Sequence, residues 1–225
     1  MNKYCLPIIK NTSKEIEKII DQYNNDYHYF EIWLDYLTDM KDNDILLLAK
    51  KLGNRGIFLF RRQHLESIRM SIQQRKKLIS LLVKTDVYID LDISTQQEEL
   101  TYINTGITLN LLTSYHNYQK TPDEKTLHNH INIMESLNPA IYKIATYCKT
   151  QSDALRLLKV QQKIKKQNKR HIILGMGEHG IITRIFGTHW GNEMIFAPLG
   201  KNESSAPGQL TKSELEKIFE IASST

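Results

Sequence analysis

Cysteine, glycine and proline are all scarce in this chain of 225 residues, at 2, 10 and 5. Each shortage excludes something. Cys5 and Cys148 are too few for a disulfide framework or a self-sufficient zinc site, so a reducing, cytoplasmic setting is expected. With no Pro/Gly/Ser-rich stretch and no internal repeat there is no linker, and a single domain over residues 1–225 is expected. No apolar run approaches the roughly 18 residues of a membrane helix. The first residues lack the long apolar segment and small-residue cleavage site of a secretion signal. Nor does charge of one sign dominate. Lys+Arg number 30 against 25 Asp+Glu, a net charge of +5, and 40% of residues are hydrophobic. That balance belongs to a globular protein rather than a disordered one. The densest basic stretch, 159–170, has no interleaved aromatics and lies at a helix end. It reads as a solvated helix terminus, so neither a nucleic-acid nor a membrane partner is expected.

What the chain does contain is alternation. Short runs rich in Ile, Val, Leu and Tyr read as strands over 4–9, 29–34, 56–60, 87–92, 105–115, 141–147, 171–176 and 194–198. Between most of them lie stretches with apolar residues three and four apart, which read as helices. The clearest cover 13–23 (Ile16, Ile19, Ile20, with Ser13 as N-cap), 68–84, 152–166 and 213–223. Eight strands alternating with helices indicate an α/β protein, and eight is the number that closes a parallel (β/α)8 barrel. An open doubly wound sheet usually carries a glycine-rich loop after its first strand. Here that position holds Lys10-Asn11-Thr12-Ser13, so the barrel is the better reading.

In such a barrel chemistry sits at the C-terminal ends of the strands, and the polar residues there are the candidates. Lys143 lies mid-strand, on the same face as Ile141 and Ala145. A buried lysine has its pKa lowered and is partly a free amine, as Schiff-base chemistry requires. His116 ends the preceding strand, within reach of Lys143, where it can act as general acid and base. Glu31, Trp33 and Asp35 share one face of the second strand. Arg61 and Arg62 follow the third. Arg184 follows the glycines of Gly175-Met176-Gly177 and can hold a carboxylate through two parallel hydrogen bonds. Ser205 and Gln209 sit in a polar loop after the last strand.

Taken together, these residues resemble type I 3-dehydroquinate dehydratase, the Schiff-base class of the shikimate pathway. The resemblance runs through Glu31 and Asp35, Tyr88-Ile89-Asp90, Ser114-Tyr115-His116 with Thr121-Pro122, and Lys143-Ile144-Ala145. It continues through Met176-Gly177 with Gly180 and Thr183-Arg184-Ile185, and ends at Ser205-Ala206-Pro207-Gly208-Gln209. It implies a barrel that dehydrates 3-dehydroquinate to 3-dehydroshikimate, with no metal and no cofactor. It also implies a small carboxylate-bearing substrate as the partner, and a homodimer. Lys143 would form the Schiff base and His116 would shuttle the proton. Arg184, Ser205 and Gln209 would bind the carboxylate and neighbouring oxygens, and Glu31 the ring hydroxyls. Two departures stand out. Trp33 occupies a position where the family usually has arginine. The usual arginine followed by Glu-Gly-Gly is replaced by Arg61-Arg62-Gln63-His64-Leu65-Glu66. On the resemblance Glu66 would be the counterpart of the catalytic glutamate, and the choice between Arg61 and Arg62 stays open. The alternatives are a Schiff-base lyase acting on another hydroxy-ketone, or a non-catalytic relative with altered loops.

Overall fold

The computed structural model describes residues 2–38, 41–62, 65–67, 70–104, 106–107 and 109–223. The strands are β1 (Tyr4–Ile8), β2 (Tyr29–Trp33), β3 (Gly56–Leu59), β4 (Tyr88–Asp92), β5 (Asn110–Asn117), β6 (Ile141–Tyr147), β7 (His171–Met176) and β8 (Ile195–Phe196). The helices between and after them are α1 (Ser13–Tyr23), α2 (Asp42–Leu52), α3 (Ile72–Leu82), α4 (Gln97–Ile103), α5 (Glu124–Ser136), α6 (Gln151–Lys166), α7 (Ile181–His189) and α8 (Lys212–Ser223). All the strand ladders are parallel, in the order β7-β6-β5-β4-β3-β2-β1-β8. Parallel neighbours need a crossover between them, and the helices supply it on the outside. This is the expected (β/α)8 barrel.

The strands are apolar on both faces because each face is covered. One parity points outward under the helices, where Phe30, Ile32, Phe58, Ile89, Ile144 and Ile173 join the large outer core. The other parity fills the barrel interior with Cys5, Ile57, Leu112, Ile141, Ile172, Leu174 and Phe196. Lys143 lies between Ile141 and Ala145 on this inner parity, so the strand itself delivers it to the interior.

The ring is closed differently between β7 and β8, which share no ladder. There the Glu193 N–H donates to His171 O at 2.7 Å. The Asn192 side chain stands in for a strand: its Oδ1 accepts from Ile173 N–H at 2.9 Å and its Nδ2 donates to Ile173 O at 3.0 Å.

Several boundaries differ from the sequence reading. The N-cap of α1 is Thr12, whose hydroxyl accepts from Glu15 N–H. Helix α3 starts at Ile72 behind a Ser71–Gln74 capping box, while Ile68, where it was expected to begin, lies outside the described residues. Thr105, the expected start of the fifth strand, also lies outside them, and β5 runs from Asn110 to Asn117. Asp35 is not on the face of β2. The strand ends at Trp33, and Asp35 falls in a 3-10 turn over Leu34–Tyr36. No described helix is long and apolar enough to cross a membrane.

Candidate active site

At the C-terminal end of the barrel a cavity of about 380 Å³, open at its mouth, is lined by Glu31, Trp33, Arg62, His116, Lys143, Arg184, Ser205 and Gln209, together with Tyr118, Leu174, Met176 and Phe196. Eight of the ten site residues expected from sequence are among its walls. Arg61 and Glu66 are not.

Lys143 is 4% exposed. Its Nζ donates to Asp90 Oδ2 at 2.8 Å and to Glu31 Oε1 at 3.2 Å, and it lies 4.6 Å from the Phe196 ring centroid. Burial favours the neutral amine, but Asp90 and then Glu31 outweigh it, and the Lys143 pKa is raised. This reverses the expectation of a partly neutral lysine, which considered desolvation without the two carboxylates. Asp90 is held in turn by the Ser114 hydroxyl and by Arg62 Nη2 at 3.5 Å. Burial would protonate it, but Lys143 and Arg62 prevail and lower its pKa. Glu31 is shared: its other oxygen accepts from Trp33 Nε1 at 3.1 Å.

His116 comes from β5, beside β6, with Ser114 paired to Lys143 and His116 to Ala145 in the register. Its Nδ1 lies 2.9 Å from Asp92 Oδ2, and its backbone N–H donates to the same oxygen at 2.8 Å. Asp92 also accepts from Ser94 and Thr95. Burial raises the Asp92 carboxyl, but these donors and His116 overcome it and lower the pKa, so Asp92 is ionised. A carboxylate at Nδ1 fixes the proton there, leaving Nε2 as the free base. Burial, followed by the charge of Arg62, lowers the His116 pKa against the opposing pull of Asp92. The resting imidazole is neutral.

Arg184 projects from α7 and is 2% exposed. Its Nη2 donates to Pro207 O at 3.3 Å, while Nε and Nη1 have no partner. Among the described residues no carboxylate faces it, and burial lowers its pKa to about 10. A desolvated guanidinium with two free donors is able to take a carboxylate through paired hydrogen bonds. The loop beside it is pinned down by Gly208, which has φ +80°; a Cβ there would stand 2.8 Å from Gly177 O. In that loop Gln209 accepts from Ser205 N–H at 2.9 Å and donates to Ser205 Oγ at 3.0 Å.

Between the two arginines after β3, the structure brings Arg62 to the cavity. The Arg61 guanidinium instead donates to Ser67 O at 2.6 Å and lies 4.1 Å from the centroid of the Tyr36 ring, so its expected place against substrate is not observed. Glu66 likewise does not line the cavity. It accepts from the backbone N–H of Arg62, lies 3.4 Å from Arg62 Nη1, and accepts from Tyr118 Oη at 2.6 Å. It braces residues of the wall without forming part of it. Sequence reasoning missed Asp92, Tyr118 and the part Asp90 plays beside Lys143. The signal for the two aspartates was present, since Asp90 and Asp92 alternate along β4 with the inward parity of Tyr88. Among the described residues no group of three or more His, Cys, Asp or Glu side chains is arranged to hold a metal ion.

A sequence model of the type I 3-dehydroquinase family matches residues 4–225. Among curated proteins, the 3-dehydroquinate dehydratase of Streptococcus suis is 32% identical over 237 residues, covering 97% of this chain and 98% of that protein. That of Methanococcus vannielii is 29% identical, covering 96% and 98%. Among solved structures, 3-dehydroquinate dehydratase from Geobacillus kaustophilus superposes with a TM-score of 0.83 at 20% identity, covering 100% of this chain and 93% of that one. The type I enzyme from Clostridium difficile, determined with covalently modified comenic acid, gives 0.80 at 22% identity, covering 98% and 92%.

Proposed function

Since this chain belongs to the type I 3-dehydroquinase family, we propose that Lys143 and His116 carry the reaction of that family here: the loss of water from 3-dehydroquinate to give 3-dehydroshikimate. The protein is a hydro-lyase, and its step lies in the shikimate pathway. Arg184, with Ser205 and Gln209 beside it, takes the substrate carboxylate, and Glu31 takes a ring hydroxyl. This places the ketone at Lys143.

Lys143 must first shed its proton. That proton is passed on through His116 as the amine adds to the carbonyl, whose oxygen leaves as water when the imine forms. The protonated imine is an electron sink. Neutral His116 Nε2 then removes a proton from the adjacent carbon, and Asp92 stabilises the imidazolium that results. The enamine expels the β-hydroxyl, which takes its proton from His116. Water hydrolyses the product imine and returns Lys143. One water is consumed and two are released, so the net change is the loss of one. The iminium carries the electron demand, and no cofactor enters.

One observation carries this reading: a buried lysine, an oriented neutral histidine and a guanidinium with free donors open into one cavity. Borohydride reduction in the presence of 3-dehydroquinate, followed by peptide mass analysis, tests it. A substrate-derived adduct on Lys143, absent from Lys143→Ala, is the expected result. Selective turnover of a different hydroxy-ketone would instead favour a related lyase, the reading that Trp33 in place of the usual arginine suggests.

A further inference from the structure

The strand alternation of β3 does not explain why Arg62 rather than Arg61 reaches the cavity, because the strand ends at Leu59. What fixes the choice is the peptide of Arg61. Its N–H donates to Asp35 Oδ2 at 2.9 Å, and its carbonyl accepts from Arg75 Nη2 at 2.8 Å. Asp35 and Arg75 are themselves paired at 3.2 Å, and Arg75 Nη1 donates to Glu99 at 2.9 Å. All three side chains are buried. Both polar groups of one residue are thus gripped by one ion pair, whose far end is anchored on α4. Arg61 is left with its side chain on Tyr36 and Ser67. The next residue is turned into the site, where Arg62 lies over Trp33 at 5.6 Å and against Asp90 at 3.5 Å.

We propose that Arg75 and Asp35 are positioning residues of the active site, acting through the Arg61 peptide to set Arg62 against Asp90 and the substrate. Neither residue lines the cavity, and neither is assigned any part in the reading above, on which this inference rests for its kinetic consequences. The clamp needs a guanidinium. One planar fork meets Asp35, Glu99 and the Arg61 carbonyl at once, and an ammonium is a single point charge.

If Arg62 swings away, the reacting groups lose a charge that depresses the His116 pKa. The groups facing His116 are Asp92 from β4, Lys143 from β6, Arg62 after β3 and Tyr118 after β5. Of these, only Arg62 is held by the clamp. Its removal raises the His116 pKa, so the acid limb of the rate profile moves to higher pH.

Two readouts test this in Arg75→Met, Arg75→Lys and Asp35→Asn. The kinetic one is turnover of 3-dehydroquinate against pH. Misplacing a reacting group by about an ångström costs on the order of 10²-fold. Arg75→Met is therefore expected to lose about that in kcat/KM with its acid limb shifted upward, and Arg75→Lys to recover only part. The optical one needs no substrate. Trp33 and Trp190 are the two tryptophans, and in a Trp190→Phe background the emission reports the contact between Trp33 and Arg62. The clamp variants should shift it as Arg62→Ala does. A folded variant with unchanged Trp33 emission and an unchanged acid limb overturns the proposal, reducing Arg75 to a purely structural ion. If Arg75→Met does not fold, Asp35→Asn decides by the same two readouts. A parent chain without dehydroquinate turnover sinks the functional reading, and the emission of Trp33 then judges the clamp alone.

Discussion

The role proposed for His116 depends on something else holding its ring. The Asp92 carboxylate sets both the tautomer and the orientation, through contacts to the ring and to the backbone of the same residue. Asp92→Asn is expected to lower kcat by about 10²-fold or more, the range of a lost general acid–base contribution. It should also move the acid limb the opposite way from a clamp variant. Asp92 raises the His116 pKa, while burial and Arg62 lower it; without Asp92 the pKa falls further and the limb shifts to lower pH. A kcat–pH profile of parent and variant checks both. Lys143 and His116 were legible in the sequence because a charged or titratable residue in a strand of inward parity has few bland explanations. The Lys143 charge was not, since its sign depends on Asp90 and Glu31, which arrive from other strands. Where Arg61 and Glu66 would lie was not legible, because alternation stops constraining side chains once a strand ends.

At the scale of elements, the sequence shows strands better than the means by which they close. Seven ladders follow from apolar runs whose two faces are both buried, but β8 is only Ile195–Phe196. Its neighbour β7 is satisfied by a side chain. Asn192→Ala would leave the Ile173 N–H and carbonyl without those partners. It is expected to destabilise the fold by about 2 kcal/mol, the penalty for stranding buried polar groups. A urea titration should show a lower midpoint with an unchanged slope. No periodicity in the sequence announces such a residue. The helices α2, α4, α5 and α7 were less visible than α1 and α6 for a related reason. Helix α4, for one, spans only seven residues, Gln97–Ile103, too few to repeat an apolar stripe.

Over the whole molecule, the histidines and carboxylates whose titration below pH 7 is shifted all move in one direction. Burial lowers the pKa of His28, His116, His130 and His171. The carboxyls of Asp90, Asp92 and Glu193 are also lowered, Glu193 to about 2. In both classes the unfolded chain binds more protons than the folded one as pH falls, so between pH 3 and pH 7 stability rises with pH. The histidine part is lost below about 6.5 and the carboxylate part below about 4, the ordinary values for these groups. Thermal unfolding should therefore show Tm falling in two stages from pH 7 to pH 3. A Tm that rose on acidification would contradict it. The net charge of +5 takes little part in this, because the lysines near the end of α6 are spent on surface pairs such as Lys159 with Glu124 and Lys169 with Glu135.

Lys143 clasped between Asp90 and Glu31 also has a consequence between turnovers. An ammonium ion has no lone pair, so aldehydes, acyl donors and sugars that reach the open mouth of the barrel meet no free amine at Lys143. In the proposed reaction, a substrate that docks its carboxylate on Arg184 and brings its ketone beside His116 supplies the conditions under which the amine is unmasked. The nucleophile is thus kept in reserve, and the same carboxylates that make it slow toward strangers preserve it for the one visitor that fits.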